Sequence, residues 1–349
     1  MNLLDLSKSE LEAFIKDIGE PSFRAKQIFE WLYRGFDIDE MSNLPLSLRK
    51  KLSEISFVSV PKIITKAISE IDGTAKYLLE MKDGQRIESV LMRYKHGNSV
   101  CISTQCGCPM GCAFCASTLG GKVRDLSAGE ILSQVLCIQR ECGERISNIV
   151  MMGIGEPLDN YDNVIKFLKL VGSPDGINIG YRHISLSTCG IVPRIYDLAN
   201  ENFPITLSIS LHATKDEERS EIMPVNRRWG IDELLCACRD YFVKTGRRIS
   251  FEYTLISGKN DDLSHARELA HLLNRYFENM PCHVNLIPVN PVNERGFKHS
   301  NHSETESFKN TLLKLGINAT VRRHLGGDID ASCGQLRNNE KTQEEKCTL

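Results

Sequence analysis

Apolar residues recur every three or four positions through the first part of the chain. This spacing gathers apolar side chains on one face of a helix, so it predicts three amphipathic helices within residues 7–55. Ser7 followed by Glu10 matches a capping box, in which each side chain bonds the backbone amide of the other residue. The first helix is therefore predicted to begin just after Ser7.

Three strand-like segments follow between residues 62 and 94. Asp72-Gly73 and Asp83-Gly84 separate them, and Asp-Gly between two strands is a strong signal for a tight hairpin turn. We therefore expect a small antiparallel sheet after the helices.

Beyond residue 98, short apolar strands alternate with helical stretches about six times. Repeated strand-helix-strand units build a parallel sheet with right-handed crossovers. Six of them suit a partial (β/α) barrel better than a flat sheet, with a doubly wound open sheet as the alternative. The expected fold is therefore α/β, with an accessory domain of helices and antiparallel strands over residues 1–95, a barrel domain over residues 96–336, and a polar, disordered tail over residues 337–349.

Charge and composition narrow the classes of function. The 349 residues carry 43 basic and 45 acidic side chains, which argues against a broad basic surface for polyanions but leaves room for local patches that contact a folded RNA. No apolar run reaches the length of a membrane span, and the first residues lack the pattern of a signal peptide. We therefore expect a cytoplasmic protein, in which the thirteen cysteines stay reduced and a tight cysteine cluster binds metal or does redox chemistry.

Five cysteines lie between residues 101 and 115, and three of them have a distinctive spacing. Cys108, Cys112 and Cys115 form C-x3-C-x2-C in a loop that follows the first barrel strand. Three thiolates can hold three corners of a 4Fe–4S cluster and leave one iron open to a small molecule. Zinc is the alternative, although structural zinc takes four protein ligands and no second pair follows at finger spacing. Six further cysteines fall within strand or helix patterns and are interpreted as core residues: Cys137, Cys142, Cys189, Cys236, Cys238 and Cys282.

The C-x3-C-x2-C spacing, with Phe114 before the last cysteine, resembles the radical S-adenosylmethionine (SAM) superfamily. Six blocks in order make the resemblance narrower: "CISTQCGCPMGCAFCAS", "VMMGIGEPLDN", "ISLSTCGIVPRI", "LSISLHA", "VNLIPVNP" and "GGDIDASCGQL". Together they resemble the dual-specificity RNA methyltransferases, which methylate carbon-2 of an adenine in 23S ribosomal RNA and in some transfer RNAs. The resemblance implies one 4Fe–4S cluster on Cys108, Cys112 and Cys115, with SAM at the open iron.

The same resemblance assigns the residues that contact SAM. Gly155 and Glu156 hold its amino group, and its carboxylate, ribose or adenine is contacted by Ser187, Ser210, Leu211, His212 and Asn290. These blocks follow predicted strands, and (β/α) barrels build their active sites at the carboxyl ends of the strands.

A relay through two more cysteines is also implied by the resemblance. Cys333 takes a methyl group from one SAM. A radical from a second SAM removes a hydrogen from that S-methyl group, and the methylene radical adds to the adenine ring as covalent catalysis. Cys101 resolves the adduct by forming a disulfide with Cys333, and Glu88 accepts the carbon-2 proton.

The resemblance and the sequence also predict partners and leave alternative functions open. The resemblance implies 23S rRNA, transfer RNAs methylated at the adenine next to the anticodon, and an electron donor such as flavodoxin or ferredoxin. No heptad or exposed apolar helix in the sequence points to a partner chain, so a monomer is expected. Arg49-Lys50-Lys51 and Arg322-Arg323-His324 are candidate RNA contacts. The nearest rival is a paralogue that methylates carbon-8 and confers antibiotic resistance; Pro157 in "GEPL" favours carbon-2. Two other classes are a non-catalytic metal module and a glycyl-radical activase. The open fourth cluster position and the SAM-contacting blocks argue against the module, and the activase would not need Cys333.

Overall fold

A computed structural model describes residues 1–278 and 280–337. The predicted disordered tail lies outside the described residues from residue 338 onward. Near the N-terminus the three predicted helices are present as α1 (Lys8–Asp17), α2 (Phe23–Leu32) and α3 (Leu46–Ile55). The predicted capping box begins α1, because the Ser7 hydroxyl accepts from the Glu10 amide at 3.3 Å and the Glu10 carboxylate accepts from the Ser7 amide at 2.7 Å.

Strands and helices alternate through the rest of the described chain. The strands are β1 (Lys62–Ile68), β2 (Ala75–Glu80), β3 (Arg86–Tyr94), β4 (Gly97–Cys101), β5 (Gln105–Gly107), β6 (Lys122–Asp125), β7 (Ile146–Met151), β8 (Ile184–Thr188), β9 (Thr206–Ser210), β10 (Ile249–Leu255), β11 (Cys282–Pro288) and β12 (Ala319–Val321). The helices are α4 (Ala128–Cys142), α5 (Tyr161–Val171), α6 (Val192–Asn200), α7 (Asp216–Ile222), α8 (Ile231–Thr245), α9 (Leu263–Tyr276) and α10 (His302–Lys314).

Ten of these strands form one sheet in the order β1-β2-β3-β4-β7-β8-β9-β10-β11-β12. From β4 to β12 every neighbouring pair is parallel. A doubly wound sheet would reverse its strand order at a switch point, whereas this order follows the chain throughout. Within the described ranges β12 pairs only with β11, so the sheet curls into the predicted partial barrel and stays open.

The antiparallel strands β1 to β3 extend this sheet at the β4 edge. β3 pairs antiparallel with β4, with Val90 opposite Cys101 and Leu91 opposite Val100. The predicted domain boundary at residue 95 falls in the turn between these two bonded strands, so the strands of the accessory part and the barrel share one hydrogen-bonded sheet. This continuity places Glu88 on the strand next to that of Cys101.

The side chains of β10 show how the core and the barrel interior are divided. Phe251 packs against Phe277 with ring centroids 5.3 Å apart, and Tyr253 packs against Phe308 of α10 at 5.4 Å. Because side chains alternate across a strand, the residues of β10 that alternate with Phe251 and Tyr253 face the opposite side of the sheet. These residues are polar, yet they are also buried: Ser250, Glu252 and Thr254.

A two-stranded sheet of β5 and β6, which the sequence did not predict, frames the cysteine loop. Gly107 ends β5 with φ of 77°, and a Cβ there would lie 1.8 Å from the carbonyl oxygen of Gly121. Only glycine therefore allows the two strands to approach this closely. The hairpin brings the chain back on itself around Cys108, Cys112 and Cys115.

Candidate active site

A cavity opens at the carboxyl ends of the barrel strands, with an empty volume of about 910 Å³ that is partly open to solvent. Most of the site residues expected from the sequence lie around it: Cys108, Cys112, Cys115, Gly155, Glu156, Ser187, Ser210, His212, Asn290 and Cys333. Leu211 is not among its lining residues; its side chain is fully buried in the core. The fold therefore gathers four of the expected thiols, a carboxylate and hydroxyls from six different loops and strand ends into one space.

Burial favours the neutral thiol form of the three cysteines of the loop. Burial raises the pKa of Cys108 to about 12 and raises the pKa of Cys112 and Cys115 above the ordinary range. Binding iron would displace these protons. In residues 1–278 and 280–337, no three His, Cys, Asp or Glu side chains converge as ligands of a single metal ion would. The thiolates of a 4Fe–4S cluster do not have to meet at one metal ion, because each thiolate binds a different iron. The three thiols therefore fit such a cluster.

Glu156 lies in the loop after β7, and its carboxylate bonds this loop to the loop after β8. One carboxylate oxygen accepts from the Leu158 amide at 3.0 Å, and the other accepts from the Cys189 amide at 2.7 Å. Burial raises the pKa of this carboxyl, and the two amides oppose that effect. Gly155 has φ of 108°, and a Cβ there would lie 2.7 Å from the Gln105 side chain. The loop therefore requires glycine beside a fixed, buried carboxyl group.

His212 is neutral and its tautomer is fixed by a backbone bond. Its Nδ1 accepts from the Thr254 amide at 2.9 Å, so the proton is on Nε2. Burial and the nearby charge of Arg219 lower the pKa of His212 to about 3. The Phe114 ring packs edge-on against the imidazole at 4.9 Å. The aromatic residue of the cysteine motif thus contacts a residue expected to bind SAM.

Arg219 is a buried part of the site that sequence reasoning missed. It is fully buried, and its guanidinium donates to the carbonyl oxygens of Cys189, Ser210 and Leu211 at 2.7, 2.9 and 3.0 Å. Its fourth bond is to the Asn226 side chain at 2.8 Å. It therefore ties the ends of β8 and β9 together. Its sequence context, "DEERSE", is that of an exposed helix and gave no signal of this role.

The cysteines interpreted as core residues divide into two groups. Cys137, Cys189 and Cys238 are buried, as expected. The other three are only partly buried: Cys142, Cys236 and Cys282. Cys189 also lines the first cavity and carries the amide that bonds Glu156, so this buried residue belongs to the site as well as to the core.

A second cavity, with an empty volume of about 1280 Å³, adjoins the first. Cys101 and Cys333 both line it, and both are free thiols. Burial raises the pKa of Cys101 to about 12. The two cavities share six lining residues: Met152, Ile287, Val289, Asn290, Arg322 and Cys333. Cys333 therefore lies where the space with the cluster cysteines meets the space with Cys101.

Hydrogen bonds join the segment that carries Cys333 to the cysteine loop and to the loop after β11. The Asn290 side chain donates to the carbonyl oxygen of Cys333 at 2.8 Å. The Ala116 amide donates to Gly334 at 2.7 Å, and the Ser117 hydroxyl donates to Leu336 at 2.8 Å. In this structure Asn290 thus fixes the Cys333 loop, a contact that the sequence did not predict.

Glu88 lies beside these cavities and is not among the lining residues of either. One carboxylate oxygen is 3.2 Å from Lys76, and the other accepts from the Arg337 amide at 2.7 Å. Burial raises the pKa of Glu88, and Lys76 and the Arg337 amide oppose that effect. Glu88 therefore holds the far end of the Cys333 segment, and its role as proton acceptor stays a prediction.

The sequence comparisons agree with this geometry. Residues 1–58 match the "Ribosomal RNA large subunit methyltransferase N-terminal domain", and residues 102–272 match the "Radical SAM superfamily". A "Probable dual-specificity RNA methyltransferase RlmN" from Clostridium botulinum is 55% identical over 347 residues, which is 99% of both chains. One from Desulforamulus reducens is 55% identical and covers 97% of this chain and 96% of its own. The chain belongs to the RlmN family of radical SAM methyltransferases.

A solved structure supports the family assignment. The crystal structure of a radical SAM methyltransferase from Sphaerobacter thermophilus has a TM-score of 0.92 and 44% identity, and it covers 97% of this chain and 100% of its own. The expected fold and methyltransferase class are thereby confirmed. For the described part of this RlmN-family chain, we find no helix with the length and apolar character needed to cross a membrane.

Proposed function

We propose that this enzyme methylates carbon-2 of a specific adenine in 23S rRNA and of the adenine next to the anticodon in some transfer RNAs. It would consume two SAM molecules, use one 4Fe–4S cluster and carry the methyl group on Cys333. The observation that carries the proposal is the position of Cys333, which lines both the cavity with the cluster cysteines and the cavity with Cys101. A thiol that moves a carbon from SAM to RNA must reach both.

Cys108, Cys112 and Cys115 would hold the cluster. SAM would be held by residues that line the first cavity: Gly155, Glu156, Ser187, Ser210, His212 and Asn290. When bound, the cluster and SAM supply an electron and a 5′-deoxyadenosyl radical. The buried Glu156 carboxyl suits an ammonium group, because a fixed carboxylate accepts charge-assisted hydrogen bonds. Ser187 and Ser210 offer hydroxyls to a ribose or carboxylate.

Cys333 first acts as a nucleophile that accepts a methyl group, and then as the carrier that joins this carbon to the adenine. Cys101 is suited to resolve the adduct, since it lines the same cavity. The adduct would first give up its unpaired electron to the oxidised cluster and its carbon-2 proton to a base. The Cys101 thiolate would then bond the Cys333 sulfur as the sulfur–carbon bond breaks, the electron pair would go to the departing carbon, and a proton from solvent would complete the methyl group. Glu88 would take the carbon-2 proton. Loss of its bond to the Arg337 amide would free an oxygen for that step.

The larger cavity is the proposed space for the target adenine. A base must leave its stack to reach a buried thiol, and Arg322, Arg323 and His324 at this cavity place positive charge where phosphates would approach. Residues 1–95 would bind the folded RNA and residues 96–336 would catalyse. In the accessory part, Arg49 already donates to the Asp39 carbonyl at 2.8 Å. Lys50 is exposed and available to a phosphate. A flavodoxin- or ferredoxin-like donor would reduce the cluster of a cytoplasmic monomer.

Isotope tracing tests the proposal. Reconstituted, reduced enzyme is incubated anaerobically with SAM that carries a trideuterated methyl group and with an RNA fragment that contains the target adenine. The expected product is 2-methyladenosine with two deuteriums, because one is removed while the carbon is held on Cys333. 8-Methyladenosine would reassign the enzyme to the carbon-8 class. 5′-Deoxyadenosine without methylated adenosine would show that the substrate is wrong.

A further inference from the structure

Arg322 follows β12 and places its guanidinium at the wall between the two cavities. Its amide donates to the Leu286 carbonyl at 2.8 Å, which continues the pairing of β12 with β11. The side chain lines both the cavity with the cluster cysteines and the cavity with Cys101. It shares this position with Cys333, the proposed methyl carrier.

A buried carboxylate holds the guanidinium in place from inside the barrel. Nη1 of Arg322 is 3.6 Å from Oε2 of Glu252, whose side chain is only 4% exposed. The same oxygen accepts from the Asn285 side chain at 2.7 Å, which fixes the carboxylate. Nη2 is 2.8 Å from the sulfur of Met152, and a thioether is a weak acceptor. The guanidinium therefore has a fixed orientation and unused hydrogen-bonding capacity on the cavity side.

The ionisable groups that face Arg322 come from four other elements. Cys333, Glu252, Cys101 and Tyr94 all act on its charge. Cys115 of the cluster loop also faces Cys333, and Arg323 also faces Tyr94. Glu252 is thus the one carboxylate in this set, and Arg322 and Arg323 are the two cations. Arg322 is the cation that lines both cavities together with Cys333, and it lines the second cavity together with Cys101.

We propose that Arg322 is a positioning residue that stabilises the thiolate of Cys333 during methyl transfer and that of Cys101 during resolution of the adduct. The inference rests on the proposed function, because both steps need a thiolate as the attacking species. In the first step the proton of Cys333 goes to solvent. Its sulfur bonds the methyl carbon as the sulfonium–carbon bond of SAM breaks, and S-adenosylhomocysteine leaves. The ion pair with Glu252 would hold the guanidinium at the wall between the two cavities, which Cys333 also lines.

The test measures the reactivity of the thiols without RNA or SAM. Reconstituted enzyme is treated with iodoacetamide from pH 6 to 10, and alkylation of Cys333 and Cys101 is followed by peptide mass spectrometry. In Arg322→Met we expect Cys333 to react about tenfold more slowly at pH 7, with its pH profile moved to higher pH, because only the thiolate reacts. Arg322→Lys keeps the charge and should restore most of the rate.

Arg93→Met is the matched control. It removes the same charge from β3 beside Tyr94, but its guanidinium is 40% exposed and bonds Glu144 and the Gly73 carbonyl, away from both cavities. Its alkylation profile should equal that of the parent. If Arg322→Met fails to fold because Glu252 loses its partner, Glu252→Gln/Arg322→Met removes both charges and gives the same comparison.

An unchanged pH profile of alkylation in Arg322→Met would overturn the inference. A slower rate with the same profile would also overturn it, because it would indicate only that iodoacetamide reaches the thiol less easily. These outcomes are separate from a failure of the proposed function, since alkylation needs neither adenine nor SAM. Failure of the isotope experiment with a normal shift in the alkylation profile would reject the RNA substrate and keep the role of Arg322.

Discussion

The two groups of cysteines with proposed functions are positioned in opposite ways. Cys108, Cys112 and Cys115 lie within eight residues, and the short β5–β6 hairpin around them sets their positions. Cys101 lies on the first barrel strand, and Cys333 lies in the last described segment of the chain. They line the same cavity because the fold of the whole sheet brings these two distant segments together. The first group is a local motif that spacing alone can reveal. The second depends on long-range contacts, which spacing cannot reveal.

The largest expected effect comes from breaking the local group. Cys112→Ala should remove one cluster ligand and abolish both iron binding and SAM cleavage, because a cluster with two thiolate ligands is poorly held. Iron content and absorbance near 400 nm measure the loss. Cys106→Ala is the control: this thiol is fully buried on β5, two residues before Cys108, and its variant should keep the cluster. Equal loss in both variants would mean that the hairpin, and not the ligand set, had been disrupted.

Breaking the distant pair should separate two steps of the reaction. Cys333→Ala should lower methylation of adenine more than about 1000-fold, as loss of a nucleophile does in other enzymes, and should leave the cluster in place. Cys101→Ala should keep methylation of Cys333 but accumulate protein joined to RNA, because the resolving thiol is missing. A denaturing gel with labelled RNA measures the adduct. Adduct with Cys333→Ala would contradict the relay.

Arg219 sharpens the comparison by testing what holds the strand ends together. Arg219→Met would remove the guanidinium donor from three carbonyl oxygens and from Oδ1 of Asn226. The Leu211 carbonyl would keep another bond, from the Ala213 amide. Unpaired buried polar groups cost about 1–3 kcal/mol each before relaxation, so the free energy of unfolding should fall by about 3 kcal/mol. Urea unfolding measures it. Arg227→Met removes an exposed arginine and should change stability by less than about 0.5 kcal/mol.

The same contrast explains how much the sequence could predict. Strand-helix alternation predicted the barrel, and Asp-Gly turns predicted β1 to β3, because these signals are local. The bond from Asn290 to the Cys333 carbonyl joins residues 43 positions apart, and the burial of Arg219 depends on carbonyls from two loops. Neither leaves a pattern in neighbouring residues. The motif predicts Leu211 near SAM; its side chain is buried in the core directly after β9, so its contact with SAM stays a prediction.

Glu88 gives the smallest expected effect and tests the link between β3 and the Cys333 segment. Burial raises the pKa of this carboxyl above its usual value of 4.5 in spite of Lys76 and the Arg337 amide. A carboxyl with a raised folded-state pKa contributes stability below pH 4.5, and that contribution is lost as the pH rises through the folded-state pKa. Glu88→Gln cannot ionise, so its stability relative to the parent should increase between pH 4.5 and 7. Urea unfolding of both proteins across this range measures the difference. A difference that stays constant with pH would mean that the bonds to Lys76 and Arg337 offset the cost of burying the carboxylate. Glu88 would then be a fixed anchor of the Cys333 segment. Such an anchor is poorly suited to release that segment and accept a proton.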